Sequence, residues 1–318
     1  MRDEHTTARQ LDSIALLLGP LAPGLQDPAV VEVMLNADGR VYHDVAGVGL
    51  VDTGTRMHPT AALTLVGAVA RYHGRVVTAL TPTLECELPT DGSRFTALIP
   101  PVVSAPVLTL RKRALRVFSL AEYMSAGIAT DHQARVIRDA IRRKRNVLIA
   151  GATGSGKSTL VNAVLAEIAE QEPEVRLVVI EDTHELQCKA QNTVILHTQP
   201  GIADLRALVQ RTMRLRPDRI VVGEVRGAES LELLKAWGTG HPGGAATVHA
   251  ESAAGALVRL EQLVAEAIAH PSPQLIAEAV HVIVSIQRDG NHAAGRRITE
   301  IVEVEGYRGG EYQLKTLA

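Results

Sequence analysis

The pattern of hydrophobic and polar positions changes once along this chain of 318 residues. In the first part, apolar side chains recur at helical spacing over residues 6–18 and again over Thr60–Tyr72, which predicts two helices. Short runs typical of strands lie around them, bounded by turn residues: Val31–Leu35, Arg40–His43, Thr83–Leu88, Phe95–Ile99 and Val107–Leu110. Short helices and strands without regular alternation predict a small α+β domain.

From residue 146 onward, strand and helix patterns alternate. The predicted strands are Asn146–Ala150, Val175–Ile180, Thr193–His197, Arg219–Val222 and Ala245–His249. The predicted helices between them are Lys157–Glu170, Ile202–Arg214, Ala228–Ala236 and Ala253–Ala269. This alternation predicts an α/β domain of three layers. A hairpin formed by His281–Gln287 and Arg296–Glu305 is expected near the end of the chain.

These patterns predict two domains joined by a linker. We expect the α+β domain over residues 1–115, the linker over 116–132 and the α/β domain over 133–318. The spacing of Ser119 and Glu122, and that of Thr130 and Gln133, is typical of capping boxes, so helices are expected to begin at both places.

A glycine-rich loop follows the first strand of the α/β domain and precedes a helix. It comprises Gly151, Ala152, Thr153, Gly154, Ser155, Gly156, Lys157, Ser158 and Thr159. Strand, loop and helix in this order are the context in which Gly-x-x-x-x-Gly-Lys-Ser forms a phosphate-binding loop, or Walker A motif. The backbone N–H groups can surround an anion, Lys157 can reach the β- and γ-phosphates, and Ser158 can bind Mg²⁺. The sequence therefore predicts that the protein binds a nucleoside triphosphate, with ATP and Mg²⁺ as the expected ligands.

Acidic side chains follow two of the other predicted strands. Glu224 comes after the apolar run that ends at Val222, and we expect it to face Mg²⁺ and the attacking water. A glutamate that caps the following helix is the alternative. Glu181, Asp182 and Glu185 follow a second apolar strand, and strand ends of this kind face the ligand crevice. They could bind Mg²⁺ through water or act as the base, and Asp182 could equally cap the turn. The predicted metal ligands are Ser158, Glu224 and Asp182.

A histidine ends the last predicted strand of the alternating region. His249 follows the glycine-rich segment 238–244. Either its side chain or that of His241 within this segment could bind a phosphate oxygen or report the γ-phosphate to a neighbour, and the position of His249 at a strand end favours His249. An ordinary hydrogen-bonded surface histidine is the alternative.

Composition narrows the possible partners. The net charge is −2 and only 3% of the residues are aromatic, which argues against direct binding of nucleic acid. The sequence begins without a hydrophobic signal region, and its uncharged stretches reach only about fifteen residues, fewer than a membrane-spanning helix needs. We therefore expect a cytoplasmic protein, at most docked on the inner membrane. The basic run 142–145 is expected to complement the end of a helix rather than to bind a membrane or a partner.

Four blocks of the second domain occur together and in order: GATGSGKST, IEDTHEL, MRLRPDRIVVGEVRG and TGHPGGAATVHAES. In these blocks the chain resembles the secretion-ATPase superfamily of type II secretion, type IV secretion and type IV pili, above all the TrbB-type conjugal-transfer ATPases. Asp91–Arg94 and Leu110–Lys112 extend the likeness into the first domain. The resemblance implies a P-loop, RecA-like ATPase core and a homohexamer in which nucleotide lies between the two domains. It also implies that Arg94 and Arg111 reach the phosphates. An equally weighted alternative is that both are surface arginines beside a strand.

The function implied is that of a magnesium-dependent ATP hydrolase. It would act as the motor of a type IV secretion (conjugal transfer) system and couple hydrolysis to substrate transfer or pilus assembly through membrane-embedded subunits. A type IV pilus retraction or assembly motor is the nearest alternative. A nucleic-acid translocase and a scaffold that binds ATP without hydrolysing it are the others.

Overall fold

The computed structural model describes residues 4–113, 117–199 and 201–318. By contact the chain divides into two units, Met1–Arg113 and Ala114–Ala318. Residues 114–116, at the border of the expected linker, lie outside the described residues. None of the described helices is long and apolar enough to cross a membrane.

The first unit is built on a six-stranded antiparallel sheet. Its elements in chain order are α1 (Glu4–Leu17), α2 (Ala22–Gln26), β1 (Val30–Leu35), β2 (Arg40–Val45), β3 (Gly49–Arg56), α3 (Pro59–Tyr72), β4 (Thr83–Glu87), β5 (Arg94–Leu98) and β6 (Val107–Arg111). The strand order is β3-β2-β1-β6-β5-β4. Strand β3 was not predicted, because its apolar side chains, such as Leu50 and Val51, are exposed and do not alternate with buried positions.

The second unit is an α/β domain with one eight-stranded sheet. Its first elements are α4 (Leu120–Ser125), α5 (Asp131–Arg142), β7 (Val147–Gly151), α6 (Lys157–Gln171), β8 (Arg176–Glu181), β9 (Asn192–His197), α7 (Leu205–Thr212) and β10 (Arg219–Val222). The remaining ones are α8 (Glu229–Gly238), β11 (Ala245–His249), α9 (Ala253–Ala265), α10 (Pro273–Ala279), β12 (Val282–Arg288), β13 (Arg296–Arg308) and β14 (Glu311–Thr316). The strand order is β14-β13-β12-β7-β11-β10-β8-β9.

The strands from β12 to β9 in this sheet are parallel, and β13 and β14 extend it antiparallel. The predicted α/β alternation is therefore confirmed. The terminal hairpin is also confirmed as β12 and β13, but β12 joins the parallel sheet beside β7. Strand β14 and helix α10 were missed, since β14 has only two large apolar side chains and α10 is seven residues long.

The predicted linker 116–132 contains α4. Both capping boxes are present, at Ser119 with Glu122 and at Thr130 with Gln133. Leu120 in α4 is buried in the apolar core of the second unit. Because this helix contributes to that core, contact assigns it to the second unit.

Both faces of the parallel sheet are covered, which explains why its strands are continuous apolar runs. In β7, Leu148 and Ala150 face one hydrophobic cluster, whereas Val147 and Ile149 face the other. The register pairs Gly151 with His249 across β7 and β11. Ile180 is paired with Val222 across β8 and β10. The segments that follow these strands therefore leave the sheet at one edge, where open α/β sheets bind ligands.

Candidate nucleotide-binding site

The glycine-rich loop joins β7 to α6 in a tight turn. Gly154 and Gly156 have φ angles of +70° and +102°, which favour glycine. A Cβ atom on Gly151 would lie 2.5 Å from the carbonyl oxygen of Ile286. The loop can keep this path only because these positions lack side chains.

The polar groups of this loop fit a phosphate. Lys157 is 9% exposed, and its Nζ donates to the carbonyl oxygens of Gly151 at 2.9 Å and Ala152 at 3.1 Å. Among the described residues, the buried Oγ of Ser155 has no hydrogen-bond partner. A phosphate oxygen would supply an acceptor for the Ser155 hydroxyl and a counter-charge for the Lys157 ammonium.

Glu185 contacts the start of α6. Ser158 Oγ donates to Glu185 Oε2 at 2.6 Å, and Asn162 Nδ2 donates to the Glu185 carbonyl oxygen at 3.1 Å. The acidic segment after β8 is thus attached to the residue predicted to bind Mg²⁺. Its proximity agrees with the predicted role of Glu185, which stays a prediction.

The side chain of Glu181 holds the acidic segment that follows β8. It is 2% exposed, and its Oε2 accepts from the backbone N–H groups of Glu185 at 3.0 Å and Leu186 at 2.9 Å. Its Oε1 accepts from His197 Nε2 at 3.0 Å. The carboxylate is therefore engaged in holding the loop. Its predicted catalytic role stays a prediction, and the geometry supports a positioning role.

Two histidine rings stack beside this carboxylate. The ring centroids of His184 and His197 lie 3.3 Å apart. Partial burial, and secondly the neighbouring His197, lower the pKa of His184 to about 4. His184 is therefore neutral at physiological pH.

Arg226 connects the two remaining acidic side chains. Its Nε donates to Glu224 Oε2 at 2.7 Å, and its Nη1 donates to Asp182 Oδ2 at 2.5 Å. Partial burial works against the charge of Arg226, but Asp182 and Glu224 outweigh it and raise its pKa. One guanidinium thus holds together both acids that were predicted to bind Mg²⁺.

His249 lies between Glu224 and the phosphate-binding loop. Its Nδ1 is 3.9 Å from Glu224 Oε1, and its Nε2 is 3.3 Å from Thr153 Oγ1. The structure therefore brings together the loop, His249 and Glu224, as expected from strand ends at one edge. The catalytic roles of the two side chains stay predictions.

The acids do not form a metal cage by themselves. Within the part of the chain that the structure describes, no group of three or more His, Cys, Asp or Glu residues could hold a metal ion. Ser158 is bonded to Glu185, and Asp182 and Glu224 are bonded to Arg226. Mg²⁺ usually takes only one or two protein ligands besides phosphate oxygens and water. Ser158, Asp182 and Glu224 are therefore compatible with a Mg²⁺ site in which phosphate oxygens and water supply the remaining ligands.

Arg94 and Arg111 are neighbours in the first unit. They are direct partners in the register of β5 and β6. The residues next to them, Phe95 and Leu110, are fully buried, so the two arginines lie on the face away from the apolar core. Their predicted contact with phosphates stays a prediction.

Sequence reasoning missed two positioning side chains. His197 is the register partner of Glu181, so knowledge of the β8–β9 pairing could have revealed it. Arg226 follows Glu224 by two residues. Its role could be predicted only if the position of Asp182 in the fold were known.

The four residues of the basic run 142–145 form ion pairs within the protein: Arg142 and Arg143 pair with Asp139, Lys144 with Glu172, and Arg145 with Glu303. These ion pairs support the expectation that the run has a local structural role.

Comparison with known proteins gives consistent similarities. The model of the family "Type II/IV secretion system protein" matches residues 57–300. The conjugal transfer protein TrbB of Rhizobium radiobacter is 48% identical over 94% of this chain and 91% of its own length. The crystal structure of the VirB11 ATPase from the Brucella suis type IV secretion system is 26% identical, with a TM-score of 0.50 over 94% of this chain and 97% of that chain.

A further solved structure bears on the fold alone. The ATPase DotB of Legionella pneumophila is 19% identical, with a TM-score of 0.63 over 93% of this chain and 80% of that chain. The expected architecture, an ATPase core preceded by a smaller α+β domain, is confirmed by these likenesses together with the two sheets.

Proposed function

This chain belongs to the type II/IV secretion system protein family, and from that membership we propose that it is the ATPase motor of a type IV secretion system of the conjugal-transfer kind. One observation carries the chemistry. The phosphate-binding loop, Glu224 and His249 meet at the carboxyl edge of the parallel sheet. The likeness to a conjugal transfer protein over 94% of the chain supports the biological setting.

Each side chain of the site has a distinct task in this proposal. The loop N–H groups and Lys157 bind the β- and γ-phosphates. Lys157 would exchange its contacts with the carbonyl oxygens of Gly151 and Ala152 for phosphate oxygens. Glu224 orients the attacking water and accepts its proton, and His249 keeps that carboxylate aligned with Thr153 of the loop.

Bound Mg²⁺ would neutralise charge on the phosphates. Ser158 would be its direct protein ligand, and Asp182 and Glu224 would act near it. Arg226 keeps the two acids close together although both carry negative charge. Glu185 and Glu181 position the segment on which Asp182 lies.

The proposed function also requires a particular oligomeric state and location. Secretion motors of this family are typically hexamers, so we expect a homohexamer in the cytoplasm that docks on membrane-embedded subunits. The measurement is the mass of the purified protein, with and without a non-hydrolysable ATP analogue. A protein that stays monomeric under both conditions contradicts this part of the proposal.

Two of the three alternative functions receive less support. A pilus motor would share the ATPase chemistry, but the extensive identity is to a conjugal transfer protein. A nucleic-acid translocase would need aromatic stacking groups, and aromatic residues make up only 3% of the chain.

The decisive experiment replaces the lysine of the loop. We expect purified wild-type protein to bind Mg-ATP in calorimetry and to release phosphate. The Lys157→Ala variant should lose turnover, because it lacks the ammonium group that contacts the phosphates. Activity equal to wild type in that variant would contradict the assignment of the site. Absence of any binding by well-folded wild type would remove the motor function altogether.

A further inference from the structure

Two arginines from the end of the chain lie against the phosphate-binding loop. Arg288 is the last residue of β12, and Arg296 is the first residue of β13. The two are direct partners in the antiparallel register, so their side chains lie on the same face of the pair. Nε of Arg288 donates to the carbonyl oxygen of Gly154 at 3.0 Å.

The glycines of the loop make room for these side chains. A Cβ atom on Gly156 would lie 2.6 Å from Nη1 of Arg296, and one on Gly154 would collide with the guanidinium of Arg288. Both glycines also have positive φ angles. Two guanidinium groups therefore lie against the loop at positions 154 and 156, where a residue with a side chain would collide with them.

Within the described part of the chain, no ion pair balances the charge of these two arginines. Among the described residues, neither Arg288 nor Arg296 has a carboxylate within ion-pair distance, whereas the adjacent Arg297 pairs with Asp289 at 3.0 Å. Together with Lys157, the pair concentrates positive charge around one short loop. Arginine carries five N–H donors, and Arg288 uses its Nε on the loop, which leaves the two Nη groups for another acceptor.

We propose that Arg288 and Arg296 are nucleotide-binding residues whose guanidinium groups, next to Gly154 and Gly156, bind the polyphosphate of ADP or ATP. The inference rests on the proposed function. Guanidinium groups match phosphate oxygens in geometry and in charge, and such charged hydrogen bonds are stronger than neutral ones. The competing explanation is that the arginines only brace the loop.

Calorimetry with ADP and with a non-hydrolysable ATP analogue tests the inference. The variants are Arg288→Gln and Arg296→Gln, with Arg297→Gln, next to Arg296 in β13, as the matched control. We expect each of the first two to raise Kd by about tenfold or more, as for the loss of a hydrogen bond to a charged group. The control should bind like wild type, because Arg297 is already paired with Asp289.

The salt dependence of Kd separates binding from bracing. Loss of a phosphate contact makes binding less sensitive to salt, since fewer opposite charges are brought together. A loosened loop weakens binding without that change. The fluorescence of Trp237, buried in the same unit, verifies that each variant is folded.

The outcomes are distinct. Weaker binding with a reduced salt dependence in both variants supports the inference. Kd values equal to wild type, or weaker binding with the wild-type salt dependence, overturn it and leave the proposed function intact. If folded wild-type protein binds neither nucleotide, the proposed function fails first.

Discussion

The two carboxylate oxygens of Glu224 have different neighbours. Oε2 accepts from Arg226, and Oε1 faces Nδ1 of His249 at 3.9 Å. The first contact fixes the orientation of the side chain. The second turns Oε1 toward His249, whose Nε2 lies 3.3 Å from Oγ1 of the loop residue Thr153. A carboxylate held in this way is suited to receive a proton from a water molecule near the loop.

Glu224→Gln tests this role at the scale of one residue. The amide cannot accept a proton, but it has nearly the same size, so we expect nucleotide Kd to change little and kcat to fall by about 10²- to 10⁴-fold. Phosphate release and calorimetry measure the two quantities. If the variant binds poorly and keeps its turnover, Glu224 serves binding rather than proton transfer.

At the scale of secondary-structure elements, strand β10 is held in place by the buried side chain of its first residue, Arg219. Arg219 is fully buried and donates to the carbonyl oxygens of Gly243 at 2.8 Å and Ile141 at 2.9 Å. It also pairs with Glu172, at the end of α6, at 2.5 Å. Burial opposes the charge of Glu172, but Arg219 and then Lys144 outweigh it and lower its pKa. One side chain thus ties β10 to α5, α6 and the loop before β11.

Arg219→Ala is expected to destabilise the second unit. Removing one partner of a buried ion pair costs about 3–5 kcal/mol, because the groups left behind lose their hydrogen bonds. Urea unfolding monitored by Trp237 fluorescence measures the free energy. The control is Arg142→Ala, which removes an ion pair whose arginine is 72% exposed and should cost less than about 1 kcal/mol. Equal effects of the two variants would contradict the prediction.

The start of β7 depends on a neutral histidine. His281 Nδ1 accepts from the backbone N–H of Asn146 at 2.9 Å, which requires an unprotonated nitrogen. Burial, and secondly the charge of Arg145, lower the pKa of His281, while Glu303 acts in the opposite direction.

Stability should therefore fall as the pH falls. Since the folded-state pKa of His281 is below its unfolded value of about 6.5, the unfolded chain binds more protons in the range between the two. We expect the free energy of unfolding to be highest above pH 6.5 and to decrease below it. The decrease should be smaller in His281→Gln. An identical slope in both proteins would show that other groups cause the pH dependence.

For the whole molecule, nucleotide binding and stability are linked. A ligand that binds only the folded state adds about 2.7 kcal/mol of stability at a free concentration of 100 Kd. For a domain the size of the second unit this corresponds to about 5–11 °C in Tm. The chain has one tryptophan, Trp237, which is buried in the core of that unit and reports its unfolding.

We expect Mg-ATP analogue to raise the Tm measured by this fluorescence in wild type. Lys157→Ala is the control and should show a much smaller shift. Equal shifts in both proteins would indicate that the nucleotide stabilises the chain at another place.

The sequence by itself determined those features that are written in consecutive residues. Apolar runs and helical spacing revealed the parallel strands and the helices between them, because backbone geometry repeats over a few residues. The phosphate-binding loop was readable for the same reason, since its glycines, Lys157 and Ser158 are contiguous. The segment Glu311–Thr316 escaped because its few apolar side chains form no clear pattern.

Only the tertiary structure decided which strand ends are neighbours. Arg226 meets Asp182 across 44 positions of sequence, and Arg288 meets Gly154 across 134. No local pattern encodes such a pair, because it depends on the order in which strands lie in the sheet. That order results from the packing of whole faces, which involves residues from every part of the domain.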